Sequence, residues 1–259
     1  GAGDFRRDAG GIDAQRMGPG VGPWKGCVML SVSNIQSFYG ETQALFGVSL
    51  SVSHGEAVAL LGANGAGKTT VLRSILGLTP PRDGRIVFDG SEITVQPTHE
   101  IAKRGIGWVP EERRIFPSLK VRTNLSLGTK KSAFRSWSLG ECFTLFSALE
   151  YLMDRDCENL SGGEMQMVAI SRAMLGGPGL MLMDEPSQGL APKLVQDVLK
   201  SIRTMKNEGV AVILVEQHAL QALEVTDRTY VLDKGRIVHE GASAELLDDA
   251  PLRRRLLGA

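Results

Sequence analysis

The run Val58-Ala-Leu-Leu61, followed without spacer by Gly62-Ala63-Asn64-Gly65-Ala66-Gly67-Lys68-Thr69, constrains this chain more than any other stretch. Four consecutive apolar residues read as a buried strand, and residues 68–76 carry on as a helix. The spacing G-x-x-x-x-G-K-[ST] is that of a phosphate-binding loop, whose glycines let backbone N–H groups close around phosphate oxygens where a Cβ would intrude. The positive end of the helix and its unpaired N–H groups add to the attraction for an anion. A nucleotide follows, on an α/β core. Lys68 is expected to reach the β- and γ-phosphates, the Thr69 hydroxyl to ligate Mg²⁺, and Thr70 to add a phosphate hydrogen bond. The flanking strand and helix argue against a plain glycine turn.

From Met29 onward β-prone runs alternate with helical ones, the order of a largely parallel sheet covered by helices. Residues 30–34, 44–52 and 85–88 look like antiparallel strands of a side sheet, with turns at Ser53-His-Gly55 and Arg82-Asp-Gly84. Residues 98–103 are a short helix and 107–109 a short strand. Between residues 121 and 159 the β-prone runs vanish, and Leu139, Cys142, Phe143, Phe146, Leu149, Leu152 and Met153 recur at helical spacing. Ser138 and Glu141 have the spacing of a capping box that would start this helix. We therefore expect a helical lobe at about 118–160, inserted into one cassette-sized unit spanning 29–259. The core resumes with a strand at 180–183, an amphipathic helix at 194–205 that stops near Gly209, and a strand at 210–215. Residues 1–28 hold eight glycines with Pro19 and Pro23 and no periodicity, so a disordered extension is expected there.

Charge and cysteine usage exclude some classes. Lys plus Arg number 29 and Asp plus Glu 29, which leaves none of the basic excess that nucleic-acid binders use against phosphate backbones. No apolar run approaches the roughly 20 residues of a membrane-spanning helix, so a link to a bilayer would pass through a partner protein. Cys27, Cys142 and Cys157 form no C-x-x-C pair and suit a reducing compartment.

Two further segments carry chemistry. Asp184 closes the apolar run 180–183, where a lone carboxylate is costly unless a cation or hydrogen bonds compensate it, and Mg²⁺ fits that need. Glu185 beside it is the candidate general base for water attacking the γ-phosphate, because the carboxyl ends of strands face the ligand crevice of open α/β sheets. A solvated acidic turn before Pro186 is the plainer alternative, which the phosphate loop disfavours. Ser161-Gly162-Gly163-Glu164 has capping-box spacing for a helix from 162 to about 174. A cap explains Ser161 and Glu164; two glycines in the first turn suggest that another molecule's phosphate approaches the backbone closely.

Taken together, residues 62–69, Leu160-Ser-Gly-Gly-Glu-Met-Gln166 and Met183-Asp-Glu-Pro186 resemble the motifs of ATP-binding cassette (ABC) ATPases. The resemblance implies a P-loop NTPase (RecA-like) core with an antiparallel β side sheet and an inserted helical subdomain, using ATP and Mg²⁺. It implies a head-to-tail pair of cassettes in which the 161–164 helix tip faces the γ-phosphate of ATP held by the other cassette. By the same likeness Tyr39 stacks on adenine. Glu111 takes the place of a glutamine that senses Mg²⁺ and touches the membrane partner, and Ser187-Gln-Gly-Leu-Ala191 is the loop that contacts the paired cassette. Gln217 occupies the register of a switch histidine that contacts the γ-phosphate, with His218 one residue late.

Within that family the chain resembles the smaller ATP-binding subunit of high-affinity branched-chain amino acid importers. The carrying residues are Tyr39-Gly40 with Gln43-Ala44-Leu45, Ala63-Asn-Gly-Ala66, Val109-Pro-Glu111 with Arg113-Arg114-Ile115-Phe116, Ser187 with Gly189-Leu-Ala-Pro192, and Val215-Glu-Gln217. Glu112, Met165 and the helical lobe depart from the pattern. The likeness implies a peripheral ATPase at the cytoplasmic face of the membrane, a second cassette, two transmembrane permeases and an external solute-binding protein. Urea or amide importers, lipid or lipopolysaccharide exporters and soluble ABC ATPases remain alternatives. Glu111 weighs against the exporters, and the lack of tandem cassettes or long coiled-coil insertions weighs against the soluble proteins.

Overall fold

The computed structural model describes residues 26–257. The extension expected at 1–28 lies outside the described residues except for its end, where Val28 already opens a strand. Strands β1 (Val28–Tyr39) and β2 (Thr42–Ser53) form a long antiparallel hairpin, and both run further than the sequence pattern suggests. The chain then enters a second sheet through β3 (Ala57–Leu61), passes the glycine loop, and forms helix α1 (Lys68–Ile75). It returns to the first sheet with β4 (Asp83–Phe88) and the short β5 (Ser91–Glu92), giving the order β2-β1-β4-β5. This is the expected side sheet.

Helix α2 (Thr98–Lys103) and strand β6 (Ile106–Val109) lead into the helical lobe, made of α3 (Val121–Ser126), α4 (Leu139–Leu145), α5 (Ala148–Leu152) and a 3-10 turn, Cys157–Asn159. The capping box is present, with the Glu141 N–H donating to Ser138 Oγ at 3.3 Å and the Ser138 N–H to Glu141 Oε2 at 2.8 Å. One continuous helix over the periodic residues is not observed. Phe146 leaves the helical region at φ −131°, ψ 77°, which turns its ring into the core and splits the run into α4 and α5.

Residues 127–137 wrap back along the opposite end of the sheet as a strap. There Phe134 packs on Phe88 with ring centroids 6.0 Å apart, and a Cβ on Gly105 or Gly179 would come within 2.7 Å of its ring. Arg135 lies over the Trp137 ring at 4.1 Å. It also binds Glu141 at 2.5 Å and Glu208 at 2.8 Å, tying the lobe to the core.

The core continues through α6 (Gly162–Leu175), β7 (Leu180–Asp184), α7 (Pro192–Asn207) and β8 (Ala211–Val215). It ends with elements that sequence reading did not anticipate: α8 (Ala219–Leu223), β9 (Arg228–Asp233), β10 (Arg236–Ala242), α9 (Ser243–Asp248) and α10 (Ala250–Leu257). The second sheet runs β10-β9-β3-β8-β7-β6, parallel except for the edge strand β10.

Every residue of β3, β7 and β8 is buried, as in parallel strands covered on both faces. Alternation divides them between two cores. Ala59, Met181, Met183, Val212 and Leu214 face α6, α7 and the lobe, which share one continuous cluster. Val58, Leu60, Leu182 and Ile213 face α1 and the side sheet. Helix α1 is thus clamped between two sheets, and its N-terminus is fixed at the carboxyl ends of β3, β7 and β8.

Because Ile213 is fully buried in the middle of this arrangement, Ile213→Ala should lower the unfolding free energy by about 2–5 kcal/mol. Loss of the Ser138 cap in Ser138→Ala should cost only about 1 kcal/mol. Denaturant titration of the purified variants checks the ranking.

Candidate functional site

Strand register sets the site. Asp184 lies opposite Val215, and Val215 opposite Leu60, so three strand ends finish side by side under the glycine loop. The loop itself needs glycine at two positions. Gly62 has φ 148° and a Cβ there would fall 2.1 Å from the Leu232 carbonyl oxygen, while Gly67 has φ 108° and a Cβ would fall 2.9 Å from Leu45 Cδ2.

Lys68 is only 5% exposed, and its Nζ donates to the carbonyl oxygens of Gly62 at 2.9 Å and Ala63 at 3.2 Å. The same ammonium is 3.9 Å from Glu185 Oε1. Thr69 Oγ1 donates to Asp184 Oδ1 at 3.2 Å. Tyr39, 47% exposed at the end of β1, has its hydroxyl 3.4 Å from Thr70 Oγ1. A pocket of about 340 Å³ opens here, lined among others by Asn64, Lys68, Thr69, Glu111, Glu185 and Gln217. Ala63 and Ala66 belong to the loop but not to the pocket wall, and Ala66 is buried in the core beneath it.

Glu185 adopts the left-handed region at φ 48°, which is costly for a residue with a side chain and marks a backbone held by its surroundings. Its N–H donates to the Val215 carbonyl at 2.9 Å. Its carboxylate accepts a 2.7 Å hydrogen bond from Gln217 Nε2. Gln217 therefore reaches Glu185, whereas His218 precedes α8, where its side chain makes no capping hydrogen bond, and does not line this pocket.

The signature segment is built as a capped helix start. Glu164 N–H donates to Ser161 Oγ at 3.3 Å and Ser161 N–H donates to Glu164 Oε2 at 2.7 Å. The two glycines differ. A Cβ on Gly163 would lie 2.1 Å from Leu194 Cδ1 on α7, the end of a flexible side chain that would have to shift. A Cβ on Gly162 would meet nothing closer than 3.4 Å. None of Ser161, Gly162, Gly163 and Glu164 lines the phosphate pocket of the same chain.

Sequence reasoning overlooked Glu216. It is buried at the end of β8 and accepts from the Ser187 N–H at 3.1 Å and the Ser187 hydroxyl at 2.7 Å; burial pushes its pKa up. A carboxylate ending an apolar strand was the available signal, since it is the same signal that singled out Asp184.

These parts define a P-loop nucleotide hydrolase with a helical insertion. A family model described as ABC transporter matches residues 45–188. The chain is 42% identical over 233 residues to the high-affinity branched-chain amino acid transport ATP-binding protein BraG of Pseudomonas aeruginosa, covering 89% of this chain and all of that one. It is 35% identical over 237 residues to the lipopolysaccharide export system ATP-binding protein LptB of Escherichia coli, covering 88% and 97%. A nucleotide-free ATP-binding cassette from an ABC transporter superposes with TM-score 0.75 at 29% identity, over 90% of this chain and 100% of that one. A dimeric cassette bound to ADP and Pi gives 0.72 at 26%, over 83% and 99%. The chain belongs to the ABC transporter family. It is an ATP-binding, ATP-hydrolysing cassette.

Burial, with smaller contributions from Glu185 and Glu111, pushes Asp184 up to about 6 from its ordinary 3.8, against the opposing Thr69 hydrogen bond and Lys68. Because the folded form holds its proton more tightly than the unfolded chain, stability is lost as pH rises across that window. In metal-free protein Asp184→Asn removes this penalty. Its advantage over the parent should grow from 3.8 to about 6 and level off above, at about 1–3 kcal/mol. Thermal unfolding at a series of pH values checks the sign, and an advantage that shrinks with rising pH contradicts it.

Proposed function

We propose that this chain is the nucleotide-binding subunit of an importer of branched-chain amino acids. The observation that carries this reading is the 42% identity spanning the whole of BraG, against 35% for the exporter subunit LptB. Glu111 on the loop after β6, where glutamine is usual, supports the same branch. The working unit is a pair of cassettes docked on two transmembrane permeases at the cytoplasmic face of the membrane, with an external binding protein delivering solute. Among the described residues no helix is long and apolar enough to cross a membrane, in keeping with a subunit that works from the membrane surface through partners.

In this reading Gly62 to Gly67 wrap the phosphates, Tyr39 lies along adenine, and Thr70 adds a hydrogen bond. Lys68 already holds its ammonium among carbonyl oxygens, so turning to a phosphate exchanges weak acceptors for a charged one. Thr69, Asp184 and Glu111 would hold Mg²⁺, which supplies compensating charge to the phosphates when bound. The fit rests on Asp184, a carboxylate 2% exposed whose acidity is weakened by burial and which, among the described residues, has only the Thr69 hydroxyl within bonding distance. Among the described residues no cluster of three or more His, Cys, Asp or Glu is poised for a metal. Mg²⁺ usually takes one or two carboxylates together with substrate phosphates, so a sparse set of protein oxygens suits it.

Glu185 takes the proton of the attacking water, and Gln217 fixes the carboxylate that does so. The far side of the γ-phosphate is closed by the partner's signature tip, equivalent to Ser161 to Glu164, which this chain's own pocket lacks. ATP gripped from both sides favours the closed pair, and hydrolysis releases it.

Gln217→Ala should therefore lower ATP turnover by about tenfold or more, while His218→Ala leaves it within about threefold. The reverse ranking in a steady-state ATPase assay transfers the switch role to His218. In the host, deleting the gene should reduce uptake of labelled leucine, isoleucine and valine, and a Glu185→Gln chain should fail to restore it. Normal uptake accompanied by a defect in lipopolysaccharide export favours the exporter instead.

A further inference from the structure

The loop between β6 and α3 holds a cation that the proposed mechanism leaves unused. Arg113 sits at φ 62° and Arg114 at φ 46°, two successive non-glycine residues in the left-handed region. Such strain persists only where the surroundings impose it. Arg114 is conventionally satisfied, 3.5 Å from Glu112 and stacked on Trp108 at 5.0 Å.

Arg113 points elsewhere. Its Nε donates to Gln166 Oε1 at 3.2 Å on the first turns of α6, and its Nη2 to the Gln188 carbonyl at 3.5 Å on the loop that follows Glu185. Its Nη1 lies 3.4 Å from where a Cβ on Gly162 would stand. One guanidinium thus ties together the loop of Glu111, the signature tip and the loop after the catalytic carboxylate.

Among the described residues no carboxylate lies within salt-bridge range of Arg113. The neighbouring Glu164 is occupied by the Ser161 N–H and lies 3.7 Å from Arg155. Beside this unneutralised charge, Gln166 is 3% exposed and its Nε2 has no hydrogen-bond partner. The positive end of the 14-residue α6 adds to the same local potential. A positive charge, an open amide donor and a helix start in one place are stabilised when an anion arrives.

We infer that Arg113 is a positioning residue: it holds the signature tip ready for the phosphate of ATP carried by the partner cassette, and reports to that tip the state of the sensing loop in its own chain. The inference rests on the paired-cassette reading given above. It predicts that the two ATP sites of a pair communicate through each chain's Arg113.

The test uses the full chain with Glu185→Gln, which should pair in Mg²⁺ and ATP as followed by light scattering. Adding Arg113→Ala should weaken ATP-dependent pairing by about tenfold. The affinity of the unpaired chain for a fluorescent ATP analogue should stay within about twofold, because the phosphate loop is untouched. In the catalytically competent chain, Arg113→Ala should lower kcat and bring the Hill coefficient for ATP towards about 1. Arg113→Lys should recover part of the pairing, since it restores the charge without the forked donors.

Unchanged pairing and an unchanged Hill coefficient overturn the inference. So does a parallel fall in Tm and single-chain nucleotide affinity, which marks a merely structural role. If the Glu185→Gln parent itself never pairs, the split-site reading fails first and the role of Arg113 falls with it, an outcome visible before any Arg113 variant is compared.

Discussion

Every feature of the site descends from the side-by-side termination of three buried parallel strands. Because β3, β8 and β7 are covered on both faces, their register cannot slip by a residue without exchanging the two cores. That register places the start of the glycine loop, the Val215 carbonyl and Asp184 on one crest. Helix α1 is trapped between the sheets, so its N-terminus is aimed at the same crest. The proposed phosphate site is thus positioned by core packing.

Local physics explains what could be read in advance. The strand, glycine loop and α1 follow from apolar run, spacing and helix start within about twenty residues, and the capping boxes at Ser138 and Ser161 are recorded in four residues each. The break at Phe146 is not local, since helical spacing continues through it and only tertiary packing draws the ring inward. The C-terminal elements β9, β10 and α8 to α10 were missed because their short, mixed-polarity runs gain definition only from pairing with β3 and packing on the main core. In the site, Lys68, Asp184 and Glu185 were legible from type and position. Glu216 carries the same local signal as Asp184, a carboxylate at the end of an apolar strand, but what it holds, the Ser187 loop, is fixed only by the fold.

Loops around the crest are linked to one another by side-chain hydrogen bonds. Ser187 is held by Glu216, Glu185 by Gln217, and Gln188 and Gln166 by Arg113. The lobe is moored by Arg135, which bridges Glu141 on α4 and Glu208 just past the end of α7. The hydrogen bonds at the crest join its loops into one contiguous set of polar contacts.

Charge decides what such a crest can accept. Asp184, Glu185 and Glu111 lie close enough for the last two to push the first towards its protonated form. Lys68 is the cation nearest these groups, and it is shared with two carbonyls. A polyphosphate alone would add negative charge to a set of carboxylates that already repel one another, and the α1 dipole and one ammonium offset only part of that. Under the proposed function, a phosphate arriving with a divalent cation would reverse the sign, the phosphate meeting the glycine loop and the cation offsetting the buried charge of Asp184. In the proposed reading, the excess of acid at the strand ends, unfavourable in the bare protein, would favour a nucleotide accompanied by its metal over the bare polyphosphate.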